Sequence, residues 1–250
     1  MNVNDIICLG AEPLALVDYL AIERPRPRLV MDIMKGLQKG AREAGVAIVA
    51  GETAIVPEIV ESFDLSAAVV GIVRKSAVIT GENAKVGDVI LGLRSSGIHC
   101  NGLTLARKLL LTPKAGSRVA RELLRPTRIY VKTISNLLRA GVEIHGLAHI
   151  TGGAYTKLKR IGIRAKVGFF LDHLPVPPHI FRRIQAKGHI SNREMYRTFN
   201  MGIGFLIICP KRGAKHVSEI LPEAKQVGCV TSGRDVTILT RGRELDIERY

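Results

Sequence analysis

The sequence predicts a mixed α+β fold in two domains, and three observations predict it. Apolar segments of strand length alternate with segments of helical period, but irregularly and without a repeated βαβ unit. At 250 residues, with 46% hydrophobic and 24% charged residues, the chain can bury more than one core. Gly81 and the pair Gly87-Asp88 interrupt the pattern and mark a joint, giving a first domain over 1–81 and a second over 82–250.

The elements follow in order. Asn4 or Asp5 can cap a short helix through Cys8, stopped by Gly10 and Pro13, and Leu14 to Leu20 reads as a buried strand. Leu29, Ile33, Leu37, Ala41 and Ala44 recur at helical spacing, with Gly45 as the left-handed stop. Val46 to Ala50 is a short strand ending in the loop Gly51-Glu52-Thr53. Leu65 to Arg74 and Val89 to Arg94 are further strands. A helix is expected from Asn101 to about Leu111. A second has Pro126 in its first turn and ends at Ala140, before Gly141. Strands are expected at 142–145, 165–171, 202–209, 227–231 and 236–240, and helices at 152–160, 177–187 and 212–221.

Composition excludes several classes. No stretch approaches the ~20 apolar residues of a membrane helix, and no basic-then-apolar leader follows Met1, so the expectation is a cytoplasmic protein that does not span a bilayer. Cys8, Cys100, Cys209 and Cys229 stand far apart, without zinc-ligand spacing, and read as reduced packing residues. The formal charge of +15 is local. Residues 1–100 carry ten Lys and Arg against twelve Asp and Glu, the remainder 27 against ten. The densest piece, 101–140, sets nine cations from Arg107 to Arg139 against Glu122 alone. Such a surface can seek phosphate or can be a solvated face; irregular spacing, no Trp and 4% aromatics argue against nucleic acid as the partner.

Five loop clusters place polar residues and glycine at the ends of apolar segments, where backbone amides and side chains are free to meet a ligand. They are Asn4-Asp5, Gly51-Glu52-Thr53, Ser95 to Gly102 with His99 and Asn101, His149 to Ala154 with Thr151, Gly152 and Gly153, and Met195 to Gly204. Glu52 can hold Mg²⁺ through hard carboxylate oxygens, or be a turn acid. His99 can move a proton near neutrality, or be incidental. Gly152 and Gly153 allow close approach of backbone to a phosphate, or a simple turn.

Taken in order, these clusters resemble the phosphoribosylformylglycinamidine cyclo-ligase (aminoimidazole ribonucleotide synthetase) family. The resemblance rests on VNDIICLGAEPLALVDYLA from Val3, AGETA from Ala50, DLSAAVVGIV from Asp64, SSGIHCNGLTLARKLL from Ser95, PTRIYVK from Pro126, GLAHITGGA from Gly146 and EMYRTFNMGIG from Glu194. It implies a homodimeric two-domain enzyme of purine biosynthesis, and it adds a sandwich-like α/β architecture to the fold. With ATP and Mg²⁺ such an enzyme activates the formyl amide oxygen of formylglycinamidine ribonucleotide, after which the amidine nitrogen closes the imidazole ring. By motif, Asp5 and Glu52 resemble the metal carboxylates, with Asn4 beside them at the ATP site. His99 and Asn101 resemble catalytic residues at the interdomain cleft, and His149, also catalytic, belongs with Thr151, Gly152 and Gly153 to the glycine-rich loop near the phosphoribosyl substrate. Ala50 and Ala154 stand where the family commonly has Gly. The family also has several dozen residues ahead of the VND motif, including an Asp-Gly-x-Gly-Thr-Lys loop of the nucleotide site that this chain does not contain. The resemblance therefore implies a first domain incomplete at its N-terminus; the alternatives are a truncated, catalytically weak or inert homologue, or a basic non-catalytic protein that binds nucleic acid through the 101–140 surface. Thiamine-monophosphate kinase, selenophosphate synthetase and the hydrogenase-maturation dehydratase share the domain plan, but PTRIYVK and MYRTFNMGIG separate this chain from them.

Overall fold

The computed structural model describes residues 1–112 and 116–247, so Lys114 of the basic stretch lies outside the described residues. The chain divides into two compact units. The first comprises Met1–Val78 together with Ile129–Asn136, and the second comprises Ile79–Arg128 and Leu137 onward.

In the first unit, α1 (Asn2–Ile7) precedes β1 (Glu12–Ile22), α2 (Pro27–Ala44), β2 (Ala47–Ile55) and β3 (Phe63–Ile72). The strands form a sheet of order β2-β1-β3, with β1 parallel to β2 and antiparallel to β3. Pro27 opens α2, where its missing N–H costs nothing, and Gly45 closes it at φ 74° as the sequence predicts. Two expectations are corrected. Asn4 is no cap: it lies inside α1, wholly buried, and its Oδ1 accepts the backbone N–H of Tyr130 at 2.9 Å. Gly51-Glu52-Thr53 is no loop either, because β2 runs through it to Ile55 in register with β1, pairing Asp18 with Gly51 and Tyr19 with Glu52. Parallel pairing with a long neighbour supplies the ladder bonds that a local turn would otherwise have to find.

The second unit contains β4 (Val89–Arg94), α3 (Leu103–Leu110), α4 (Ser117–Leu123), the C-terminal end of α5 (Val131–Arg139), β5 (Gly146–His149), α6 (Leu158–Ala165), β6 (Gly168–Leu171), α7 (His179–Gly188), α8 (Asn192–Thr198), β7 (Ile203–Cys209), α9 (Lys211–Ile220), β8 (Lys225–Thr231), β9 (Val236–Thr240) and β10 (Arg243–Asp246). Among the described residues its sheet has the order β10-β9-β6-β8-β4-β7-β5, all neighbours antiparallel except β6 and β9. An antiparallel sheet beside segregated helices is an α+β arrangement, as expected.

The continuous apolar runs of β4 and β7 are buried along nearly their whole length, and the core forms around Ile90, Phe169, Phe181, Phe199, Leu206 and Ile208. The helix expected from Pro126 begins only at Val131, and the strand expected at 142–145 is displaced to Gly146–His149. His145 stands just before that strand, its Nδ1 at 2.7 Å from Asp88 Oδ2 and its Nε2 at 3.1 Å from Glu143. Four short elements, α4, α8, β10 and the 3-10 turn Lys75–Ala77, are additional to those the sequence predicts.

Candidate functional site

Strand β4 delivers the loop Ser95 to Gly102, and antiparallel β7 with β5 beyond it sets His149 next to that loop. The chain turns sharply at His99, whose φ is 59°. The ring is buried at 4% exposure, and its Nε2 accepts the N–H of Ser96 at 3.2 Å. That bond assigns the proton of the neutral imidazole to Nδ1. Nδ1 is itself buried and has no hydrogen-bond partner among the described residues. Burial first, then repulsion from His149 and Arg128, lowers the His99 pKa to about 4, so the ring is neutral at pH 7. The His149 ring lies 6.5 Å from that of His99, centroid to centroid, and stacks on Phe205 at 6.1 Å.

The glycine loop closes on the same place. A Cβ on Gly152 would stand 3.4 Å from Asn101 Oδ1, so the two loops adjoin. Asn101 Nδ2 in turn donates to the carbonyl of Thr198 at 3.4 Å. Thr151 is buried and its hydroxyl accepts from Lys157 Nζ. Gly153, at φ 74°, starts the 3-10 turn Ala154–Lys157 that leads into α6. Beside this loop is a recess of about 270 Å³ lined by Gly152, Gly153, Thr156, Lys157, Lys159 and Arg160. Amides at a glycine turn with three cations around them suit a phosphate.

Residues that the sequence motifs contain without assigning a role hold the loop in shape. Asn200, 2% exposed, accepts from Ser95 Oγ at 2.9 Å and from the Gly202 N–H at 2.8 Å, and donates to the Gly97 carbonyl at 2.9 Å. Its own carbonyl accepts the buried Tyr155 hydroxyl at 3.0 Å. Arg125 donates to the Ser96 carbonyl at 3.1 Å and Arg128 to that of Arg94 at 3.3 Å, so part of the basic stretch braces the loop. The capping signature Ser191-x-x-Glu194, with Ser191 Oγ accepting the Glu194 N–H at 3.2 Å, is the sequence signal for α8, which positions this set.

His99, Asn101, His149, Thr151, Gly152 and Gly153 are thus gathered in the second unit. Asn4, Asp5 and Glu52 belong to the first. There Asp5 is exposed on α1, which packs on β1 and β3, while Glu52 is exposed on β2 at the far side of β1. Among the described residues no three His, Cys, Asp or Glu side chains form a group able to hold a metal ion.

The family model described as AIR synthase related protein, C-terminal domain, matches residues 85–240, and its N-terminal counterpart matches residues 1–73. Phosphoribosylformylglycinamidine cyclo-ligase of Pyrococcus furiosus is 49% identical over 252 residues, which cover 97% of this chain and 73% of that protein. The chain belongs to the phosphoribosylformylglycinamidine cyclo-ligase family. Family members of the same name from Methanocaldococcus jannaschii and Methanothermobacter thermautotrophicus are 50% and 47% identical, over 88% and 99% of this chain. The chain spans 65% of the length of the first of these relatives and 73% of the second. Among solved structures, hydrogenase maturation protein HypE superposes with a TM-score of 0.78 at 22% identity, covering 100% of this chain and 80% of that one. Thiamine-monophosphate kinase from Stenotrophomonas maltophilia gives 0.68 at 20% identity, over 95% and 75%. At such identities these two speak for the shared fold alone. No helix among the described residues is long and apolar enough to cross a membrane.

Proposed function

We propose that the protein catalyses the ATP-dependent ring closure of formylglycinamidine ribonucleotide to 5-aminoimidazole ribonucleotide, releasing ADP and phosphate. The observation that carries this reading is the convergence of three separate family motifs, around His99, His149 and Asn200, on one buried polar centre that retains an unspent donor at His99 Nδ1.

Phosphoryl transfer to the formyl amide oxygen, then attack by the amidine nitrogen, asks the protein chiefly for positioning and charge neutralisation. A neutral imidazole held by the Ser96 amide is a fixed donor. Its Nδ1–H is assigned to the substrate oxygen that is phosphorylated and then departs, where a donor already oriented pays no reorganisation during the reaction. Asn101 orients the same substrate end through its amide, and His149 closes the other side of the centre. Thr151, Gly152 and Gly153, with the cations of the adjoining recess, are assigned to the ribose phosphate.

In the first unit, Asp5 and Glu52 are assigned to the Mg²⁺ that accompanies ATP, with Asn4 shaping the helix that presents Asp5. Two exposed carboxylates fit that ion in kind. Mg²⁺ prefers oxygen and keeps several waters, so nucleotide phosphates rather than a full protein cage would complete its shell. The bound ion would neutralise phosphate charge.

We assign a homodimer formed through the sheet of the first unit. Val49, Val70 and Ile72 are 60%, 64% and 63% exposed there, more apolar surface than a lone sheet normally presents to water. The test of the activity is ADP release from ATP by the purified protein, expected only when formylglycinamidine ribonucleotide is present. ADP release indifferent to that substrate would remove the reading.

A further inference from the structure

A second cavity of the same unit, about 430 Å³, lies between the segment after β6, helices α7 and α8, and the β9–β10 turn. Its volume is in the range that holds a small organic ligand. Leu174 to Pro177 provide an apolar, proline-stiffened wall, and Val176 is 77% exposed. Two guanidinium side chains, Arg182 of α7 and Arg241 of the turn, line the same cavity, together with Tyr196 of α8. A carboxylate, Asp172, also lines the cavity, with His173 Nδ1 at 2.7 Å from it, and Gln185 and Asn192 are bonded to each other at 2.6 Å. The lining thus carries two guanidinium groups against one carboxylate, a net positive charge.

Arg241 is the telling residue. With Gly242 it forms the two-residue connection between β9 and β10, across which Thr240 pairs with Arg243. Both connecting residues are left-handed, at φ 50° and 72°. Such hairpin turns favour Asn, Asp or Gly at the first position, because a side chain with a Cβ strains the left-handed backbone. An arginine held there at a conformational cost, in the lining of a cavity, places a bidentate cation that a relaxed turn residue would not supply.

The cavity is also distinct from the His99 centre. Helix α8 stands between them, giving Asn192 and Tyr196 to the cavity and the Thr198 carbonyl to Asn101. We propose that this cavity is a second binding site, for a small anion with an apolar body: a phosphate or carboxylate held by Arg182 and Arg241, with the hydrophobic part against Leu174 to Pro177.

The test uses phenyl phosphate as probe with the full chain, followed by calorimetry, and benzyl alcohol as the uncharged control. Saturable binding of phenyl phosphate is expected, weaker for benzyl alcohol, and weakened about tenfold or more in R182Q/R241G. The R241G change alone should also raise the melting temperature by relieving the turn, so that lost binding cannot be ascribed to misfolding. The titrations are made in the K159Q/R160Q background, which removes the phosphate-binding recess at the glycine loop as a rival site for the probe. Absence of saturable binding in that background, or binding there untouched by R182Q/R241G, would overturn the proposal.

Discussion

Asn200 Nδ2 donates to the carbonyl of Gly97 at 2.9 Å, a bond between residues 103 positions apart that ties the His99 loop to the start of β7. The same side chain accepts from Ser95 and Gly202, so one buried amide satisfies three groups at once. Asn200→Ala would leave a buried amide N–H, a carbonyl and a hydroxyl without their partner. A loss of about 3 kcal/mol of unfolding free energy is expected in urea titration, with a fall in turnover larger than the change in substrate KM. An unaltered urea midpoint would mean that these bonds are replaced at no cost.

His99 makes stability depend on pH in a defined direction. Its pKa is lowered to about 4 in the folded chain, against about 6.5 in an unfolded one. Below pH 6.5 the unfolded state therefore binds the proton first. Stability is fully present above that value and declines as the pH falls towards 4, by roughly 3 kcal/mol over the window. Asn tolerates a left-handed backbone and does not titrate, so His99→Asn should lack this component. The wild-type minus variant difference, followed by urea unfolding from pH 7 to pH 4, should shift by that amount. A flat difference contradicts the burial argument.

Gly102 begins α3 at φ 70°, and a Cβ there would lie 2.2 Å from Phe199 Cε1. Gly102→Ala should therefore cost about 3 kcal/mol or more, combining left-handed strain with a clash against a ring that is itself fully buried. Thermal unfolding reads the loss. The double change with Phe199→Ala should recover none of it, since it exchanges the clash for a cavity.

The exposed sheet of the first unit makes oligomeric state a sharp observable. Val70 and Val17 alternate outward on neighbouring strands, and Tyr19 and Glu52 share that face by register. Light scattering should find a dimer for the wild type and a monomer for Val70→Asp, because a carboxylate buried at the two-fold would be desolvated without a partner. A wild-type monomer, or a dimer indifferent to this change, would argue for another role of the face.

Much of the second unit is legible locally. Val89–Arg94 and Val236–Thr240 fall where their apolar runs end at turn residues, and Gly141 stops its helix at φ 71° as expected. What escapes is settled at long range. Tyr130 stays out of a helix where its N–H meets Asn4, 126 residues earlier, and no pattern near Pro126 announces that acceptor. Glu52 lies in a strand because β1 pairs with it, although Gly51-Glu52-Thr53 has turn composition. His145 is occupied by Asp88 and Glu143, and the strand begins after it. At the site, His99, Asn101 and Gly152 are legible as motif residues. The tautomer of His99 is not, because it depends on one backbone N–H at Ser96. Arg125 and Arg128 read as surface charge in the sequence, and only the fold reveals that they brace the loop.

His99 is proposed to donate to the substrate oxygen during ring closure. The most direct test is the rate of 5-aminoimidazole ribonucleotide formation by wild type and His99→Ala, at saturating ATP and substrate. Loss of a preorganised donor predicts a turnover number lower by about a hundredfold or more, with KM changed by less than about fivefold. Equal turnover in the two proteins would contradict it.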